Sequence, residues 1–448
     1  MSPDGVRILL RLMPQASSAV ARSTREEEAL REIASTRVAA RAAQLLSALF
    51  LLVVLAGVAL EAREVLRGRP NLLRGDSRLL FPDRRELRAL WRKQGVRSAA
   101  GRIRTADVEI QERLDRDSRL AVLVRAPVQS LLARRLRFGN SQVLVGGENW
   151  LFFRDDFDYL TGPPFLAPAA LARRASGVSR HPATYPDPLP AILGLAADLR
   201  AQSIGFVVVP VPTKLGIAWE RFLRRTPHDG PAIDNPSRAE LLARLHAEGV
   251  TVFDPAPLLR AMELDDQRPY MQFDSHWSPA GLDRTAAALA AFLAERFDLG
   301  ESVRFHRQGR AFARRADLAD LLGLDPEHNP YLVEPLVIQS VDGPDHKPFN
   351  SRRSEGRVLL LGDSFSRLLI RNKRRGGDAN FAAQLAFHLQ RPVDMLAEND
   401  AGADFALRMN WLRQPHELDS RSVVVLEVAE RSFALGDWTP ARLGPTQP

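Results

Sequence analysis

The run Gly205–Pro210 (GFVVVP) is continuously apolar. Successive side chains of a strand point to opposite faces, so such a strand needs cover on both sides. Further strands are expected at Val250–Asp254, Arg357–Leu361, Val393–Leu396 and Ser422–Val428. Between them apolar residues recur at helical spacing. Leu189, Ile192, Leu193, Ala196 and Leu199 form one such stripe, and Leu241, Leu242 and Leu245 another. A third runs through Leu282, Ala286, Leu289, Leu293 and Phe297, behind Ser278 as a cap and Pro279 at the first helical position. A fourth helix is expected near Ala379–Leu389. Strands alternating with helices imply a parallel sheet covered on both faces, so the expected class is three-layer α/β. Before it, Gln142–Val145 and Trp150–Phe153 read as a short hairpin around Gly146-Gly147. The segments 162–190 and 300–355 read as a proline-rich loop and a polar, irregular stretch.

The beginning of the chain obeys different constraints. Ala42–Leu60 (AAQLLSALFLLVVLAGVAL) holds no charge and only Gln44 and Ser47 as polar residues. As a helix it is roughly 28 Å long, close to the ~30 Å of a bilayer core. A transmembrane anchor at 42–60 is therefore expected. The 41 residues that precede it argue against a cleaved signal peptide ending near Gly57-Val58-Ala59. Thr24 and Glu27 have the spacing of a capping box for a helix leading in. Arg22, Arg25, Arg31, Arg37 and Arg41 on one side balance Arg63, Arg67, Arg69, Arg74 and Arg78 on the other, so charge does not orient the span. The expected organisation is a tail (1–41), the anchor (42–60), a helical neck (61–141) rich in Arg, Glu and Leu, and the main domain (142–440).

The 448 residues are 45% hydrophobic and 26% charged, a globular balance. The net charge of +8 is almost wholly arginine, with lysines only at Lys93, Lys214, Lys347 and Lys373. A basic surface attracts anionic polysaccharide, phospholipid or nucleic acid. The arginines are scattered and accompany no nucleic-acid-binding signature, so no nucleic acid partner is expected. Without cysteine, disulfides, thiolate metal sites and a cysteine nucleophile are excluded.

Arg357–Leu361 runs directly into Gly362-Asp363-Ser364-Phe365-Ser366. Ligands of open parallel sheets gather at the carboxyl ends of strands, which is where this turn falls. Ser364 suits a nucleophile there; it equally suits a helix cap. Among nine histidines, His276 stands two residues after Asp274 in Asp274-Ser275-His276-Trp277. Residues two apart in extended chain point the same way, so Asp274 can orient the ring and leave its other nitrogen for Ser364. A structural Asp–His pair is a second reading. A metal site completed by a further carboxylate such as Asp254 is a third.

The ordered set sharpens this. Asp274–Trp277 (DSHW), followed by Gly362–Phe365 (GDSF), resembles the alginate O-acetyltransferase (AlgJ/AlgX-like) SGNH family. So do Trp150-Leu151-Phe152-Phe153, the segment Val209–Lys214 (VPVPTK) and Glu430-Arg431. The resemblance covers about 142–438. It implies transfer of acetyl groups to hydroxyls of an exopolysaccharide outside the cytoplasmic membrane. A multipass acyltransferase of the MBOAT type would supply the acetyl group. It also implies Ser364 as nucleophile, His276 as general base and then acid, and Asp274 as the residue that orients it. Gln272 stands where the family often has a basic residue. Asn399 is a candidate oxyanion donor or an ordinary Asx turn. Lys214 is a candidate for contact with substrate or an internal carboxylate, or else solvated, and Trp277 is a candidate sugar platform or packing residue. No glycine-rich phosphate loop is present, so no cofactor is expected. An esterase using water as acceptor, and a non-catalytic glycan-binding or scaffold subunit, are the alternatives.

Overall fold

The computed structural model describes residues 40–66, 88, 127–440 and 442–443, apart from 178, 226–229, 325–328, 330, 332, 352–355, 370–377 and 399–404 within the third range. The chain divides into two units, Met1–Val124 and Arg125–Pro448.

In the first unit the apolar run forms helix α1 (Ala40–Leu66). Leu45, Leu46, Leu49, Phe50, Leu51, Leu52 and Leu55 on it are exposed. Among the described residues, however, no helix is long and apolar enough to cross a membrane, so the expected spanning segment is not found there. The tail lies almost wholly outside the described residues, and so does most of the neck.

The second unit opens with a helical stretch at 127–136, and the expected hairpin follows. Strands β1 (Val143–Val145) and β2 (Leu151–Phe153) pair antiparallel, with Val145 opposite Leu151. The proline-rich segment 162–190 is less irregular than expected, since Pro168–Ala175 is helical, with Pro168 in the first turn, where its missing N–H costs nothing. Helix α2 (Leu189–Ala201), strand β3 (Gly205–Val211), helix α3 (Ser237–Ala247) and strand β4 (Thr251–Val252) follow. β4 is shorter than expected, because its ladder with β3 pairs only Thr251 and Val252.

Helix α4 (Pro279–Arg296) begins as its sequence dictates, with the Ser278 hydroxyl accepting from Gly281 N–H at 3.1 Å. The polar stretch after it is not irregular. It forms a ribbon of two ten-residue strands, β5 (His306–Arg315) and β6 (Val333–Asp342), paired antiparallel from His306–Asp342 to Arg315–Val333. Strand β7 (Val358–Gly362) leads into the single helical turn α5 (Ser364–Arg367). Helix α6 (Phe381–Leu389), strand β8 (Val393–Ala397), helix α7 (Phe405–Leu412), strand β9 (Val423–Ala429) and helix α8 (Arg431–Leu435) complete the unit.

The main sheet has the order β4-β3-β9-β7-β8 with every pair parallel. Alternate residues of its central strands face two separate cores. Val207, Val209, Val358, Leu360, Val423 and Val425 pack with Leu282, Leu289 and Leu293 of α4 and Phe381 and Leu385 of α6. Val208, Leu359, Leu361, Val424 and Leu426 pack with Ile192 and Leu195 of α2, Leu241 and Leu245 of α3, and Met409 of α7. Each fully buried side chain of this size contributes roughly 1.5–3 kcal/mol. The three-layer expectation is met. Because the sheet is parallel, β3, β7 and β9 all end on one side, and there the chain places Thr213-Lys214, Asp363-Ser364 and Glu430-Arg431.

Candidate active site

The turn after β7 is built on close packing. A Cβ at Gly362 would lie 2.3 Å from both Cβ and Oγ of Ser366, so glycine is required for the strand to pass this helical turn. The buried Asp363 fixes the turn twice. Its Oδ1 accepts from Phe365 N–H at 2.9 Å, and its Oδ2 accepts from Ala429 N–H of β9 at 3.0 Å. Beneath it Glu427 of β9, fully buried, accepts the Asp363 N–H at 3.1 Å and the Ser366 hydroxyl at 2.6 Å on one oxygen. Burial, reinforced by the neighbouring Asp363 charge, pushes the Glu427 carboxyl well up. Ser364 stands at the head of this braced turn, half-buried.

Asp274 and His276 meet as expected, but across a bend rather than along extended chain. Asp274 Oδ1 lies 2.7 Å from His276 Nδ1 and accepts the His276 backbone N–H at 3.1 Å. Its Oδ2 accepts from Arg314 Nε at 2.9 Å and from Asp317 N–H at 3.2 Å. Burial alone would raise the Asp274 carboxyl, but the charges and hydrogen bonds of His276 and Arg314 outweigh it and hold it far below the usual range. For His276, burial acts downward; the charge and hydrogen bond of Asp274, with Asp317 behind it, prevail and raise the ring.

The other ring nitrogen, Nε2, is buried without a hydrogen-bond partner. The imidazole packs on Phe365, ring centroids 4.7 Å apart, so the histidine lies against the residue that follows Ser364. The structure thus brings together Asp274, His276 and the turn that carries Ser364, with the ring contact made through Phe365.

Residues 143–430, more than half of the chain, match the family described as SGNH hydrolase-like domain, acetyltransferase AlgX. The chain belongs to this AlgX family. It is 25% identical over 203 residues to the probable alginate O-acetylase AlgJ of Pseudomonas aeruginosa, covering 45% of this chain and 46% of that protein. To the AlgJ of Pseudomonas syringae pv. tomato it is 26% identical over 208 residues, with the same shares, 45% and 46%. The chain thus spans about half the length of the curated relatives it matches. Among solved structures, the O-acetyltransferase domain of Pseudomonas putida AlgJ aligns with a TM-score of 0.48 at 19% identity, over 66% of this chain and 93% of that one. AlgX of Pseudomonas aeruginosa aligns with a TM-score of 0.44 at 17% identity, over 66% and 63%.

Within this AlgX-family site the remaining candidates fall into different places. Lys214 is fully buried, and its Nζ donates to the carbonyl oxygens of Leu151 at 2.5 Å, Gln272 at 2.9 Å and Asp274 at 3.1 Å. It is neither solvated nor hydrogen-bonded to a carboxylate; it ties β2 to the segment carrying Asp274. Burial brings its ammonium down to about 8, against the opposing charges of Glu334, Asp274 and Asp317. Trp277 is fully buried, edge-on to Phe365 at 5.3 Å and tilted on Phe381 at 4.9 Å. A ring so enclosed packs the core and offers no face to a sugar. Asn399 lies outside the described residues. Gln272 donates to Glu148 O at 2.7 Å.

Asp254 is paired with Arg238 at 2.7 Å and is not part of the Asp274–His276 cluster. A different carboxylate, Asp317, is: ligand-type atoms of Asp274, His276 and Asp317 lie within 4.8 Å of one another. Their oxygens accept from Arg314 Nε, from backbone N–H groups and from the Ser275 hydroxyl, which makes the cluster a hydrogen-bonded network. Arg314 and Asp317 were not legible in the sequence as site residues. They lie at the end of β5 and just after it, in a stretch whose charges carried no local motif.

Proposed function

We propose that the chain is an O-acyltransferase that moves an acetyl group through an ester of Ser364 to a sugar hydroxyl. The observation that carries this is His276: one ring nitrogen is tied to Asp274 at 2.7 Å, the other is buried and unbonded, and the ring packs on Phe365, the residue after Ser364. Membership of the AlgX family supports the acetyl group as the one transferred.

In the first half-reaction Nε2 takes the Ser364 hydroxyl proton while Oγ attacks the donor's acetyl carbonyl. Collapse breaks the bond to the donor oxygen, which receives that proton from the imidazolium. In the second, a sugar hydroxyl gives its proton to Nε2 and attacks the Ser364 ester, and the proton returns to Oγ. Base assistance of this kind is worth typically ~10²–10⁴-fold.

An exopolysaccharide as acceptor follows the matched relatives, which are named as alginate O-acetylases. Supply of acetyl groups by an MBOAT-type membrane acyltransferase, and work on the periplasmic or extracellular side, belong to the same reading. So does attachment to the cytoplasmic membrane, which the exposed leucines and phenylalanine of α1 support. The test is acetate release and glycan acetylation from an activated acetyl ester, with and without acceptor glycan. Transfer predicts acetylated glycan at the expense of free acetate. An esterase would release acetate equally in both, and a scaffold subunit would do neither.

A further inference from the structure

We infer that Arg314 and Asp317 are positioning residues that hold the Asp274–His276 pair from opposite electrostatic sides. This rests on reading His276 as the base. The segment 272–276 is fastened chiefly by the ribbon and the connection between its two strands. Glu334 of β6 accepts the N–H groups of Gln272 at 2.9 Å and Phe273 at 3.1 Å. Arg314, at the end of β5, donates to Asp274 Oδ2 at 2.9 Å. Asp317 accepts the Ser275 N–H at 2.8 Å and the Ser275 hydroxyl at 2.5 Å, while its own N–H reaches Asp274 Oδ2 at 3.2 Å.

Around Nδ1 of His276, among the described residues, three oxygens converge: Asp274 Oδ1 at 2.7 Å, Ser275 Oγ at 3.2 Å and Asp317 Oδ2 at 3.4 Å. The Ser275 hydroxyl spends its hydrogen on Asp317, so it faces Nδ1 with a lone pair. Three acceptors assign the ring proton to Nδ1 and leave Nε2 bare, the tautomer a general base needs. The second carboxylate adds negative charge where an imidazolium forms, and the Arg314 guanidinium offsets part of it. Among the described residues two other cations face the cluster: Lys214, bonded to the Asp274 carbonyl, and Arg431, whose guanidinium stands 5.7 Å from the Phe365 ring centroid. Both stay constant when Arg314 or Asp317 is changed.

The two residues therefore act with opposite sign. Removing the Asp317 charge makes the imidazolium easier to deprotonate; removing the Arg314 charge makes it harder. A structural role alone would not separate them. The experiment is an NMR titration of the His276 ring in the full chain, assigned by loss of its signal in His276→Gln, for Asp317→Asn, Arg314→Gln and Arg314→Lys. Asp317→Asn is expected to lower the midpoint, and Arg314→Gln to raise it, each by roughly one pH unit, as for a charge within 4–6 Å. Arg314→Lys keeps the charge and restores the midpoint, and Arg314→Met replaces Arg314→Gln, with the same expected rise, if that variant does not fold. Shifts in the same direction, or none in folded variants that remove either charge, overturn the inference. The acidic limb of kcat/KM is expected to move with the NMR midpoint. If the midpoint shifts as stated while wild type has no turnover, the positioning role stands and the catalytic reading fails.

Discussion

The ammonium of Lys214 lies 3.1 Å from the carbonyl oxygen of Asp274, sixty residues along the chain, and holds it from inside the protein. One buried cation thereby joins the end of β3 to the segment that carries Asp274 and His276. Its other two partners, Leu151 and Gln272, extend the tie to the small hairpin.

Lys214→Met keeps most of the side-chain volume and removes the donor from three buried carbonyls. Each unsatisfied group costs about 1–3 kcal/mol. The variant is expected to lose on the order of 3 kcal/mol of stability, read as a lower urea midpoint, with acetyl transfer reduced as well. A substrate-binding lysine would instead raise KM and leave the midpoint alone.

Gly362→Ala places a methyl group against Ser366 and, at 3.1 Å, near Glu427 Oε2. Overpacking of this kind costs typically about 1–3 kcal/mol. Because Asp363 and Ser364 follow directly, kcat is expected to fall by more than the loss of folded protein explains. Active-site titration against circular dichroism melting separates the two.

Trp277→Ala opens a large cavity between Phe365 and Phe381. A loss of roughly 3–5 kcal/mol is expected in chemical denaturation. Were the indole a sugar platform, the change would appear as weaker acceptor binding with little effect on stability.

Glu430 is fully buried beside Arg238, whose Nε donates to it at 2.5 Å. Burial prevails over that guanidinium and lifts the carboxyl from 4.5 to about 8. Between these values the folded chain keeps a proton that the unfolded chain releases. Its contribution is therefore complete at low pH and is lost as pH rises through about 8. Glu430→Gln is expected to flatten this part of the stability profile, measured as urea midpoints across that interval. An unchanged slope would show that Glu430 is ionised throughout.

How far the sequence carried the reading follows from where its signals are local. β3, β7 and β9 were legible because strands buried on both faces must be apolar throughout. Ser278 and Pro279 marked the start of α4 because capping chemistry acts within one turn. Asp274 and His276 were legible as a pair because they stand two residues apart, although a bend and not extended chain brings them together. The ribbon β5–β6 was not, because β5 is mostly exposed and mixes charged with small residues, and β6 is fully buried only at Ile338, Ser340 and Val341. With the ribbon went Arg314 and Asp317, whose importance arises from a contact forty residues distant. Lys214 was noticed for its rarity, and its role came from burial, which no single position in a sequence declares.

The measurement that bears most directly on the serine ester is mass spectrometry of the intact chain after brief exposure to an activated acetyl ester, followed by peptide mapping. One acetyl group is expected on the peptide bearing Ser364; it is expected to disappear on adding acceptor glycan and to be absent in Ser364→Ala and His276→Gln. A chain that acetylates glycan while this peptide stays unmodified, or a Ser364→Ala variant that transfers normally, would contradict it.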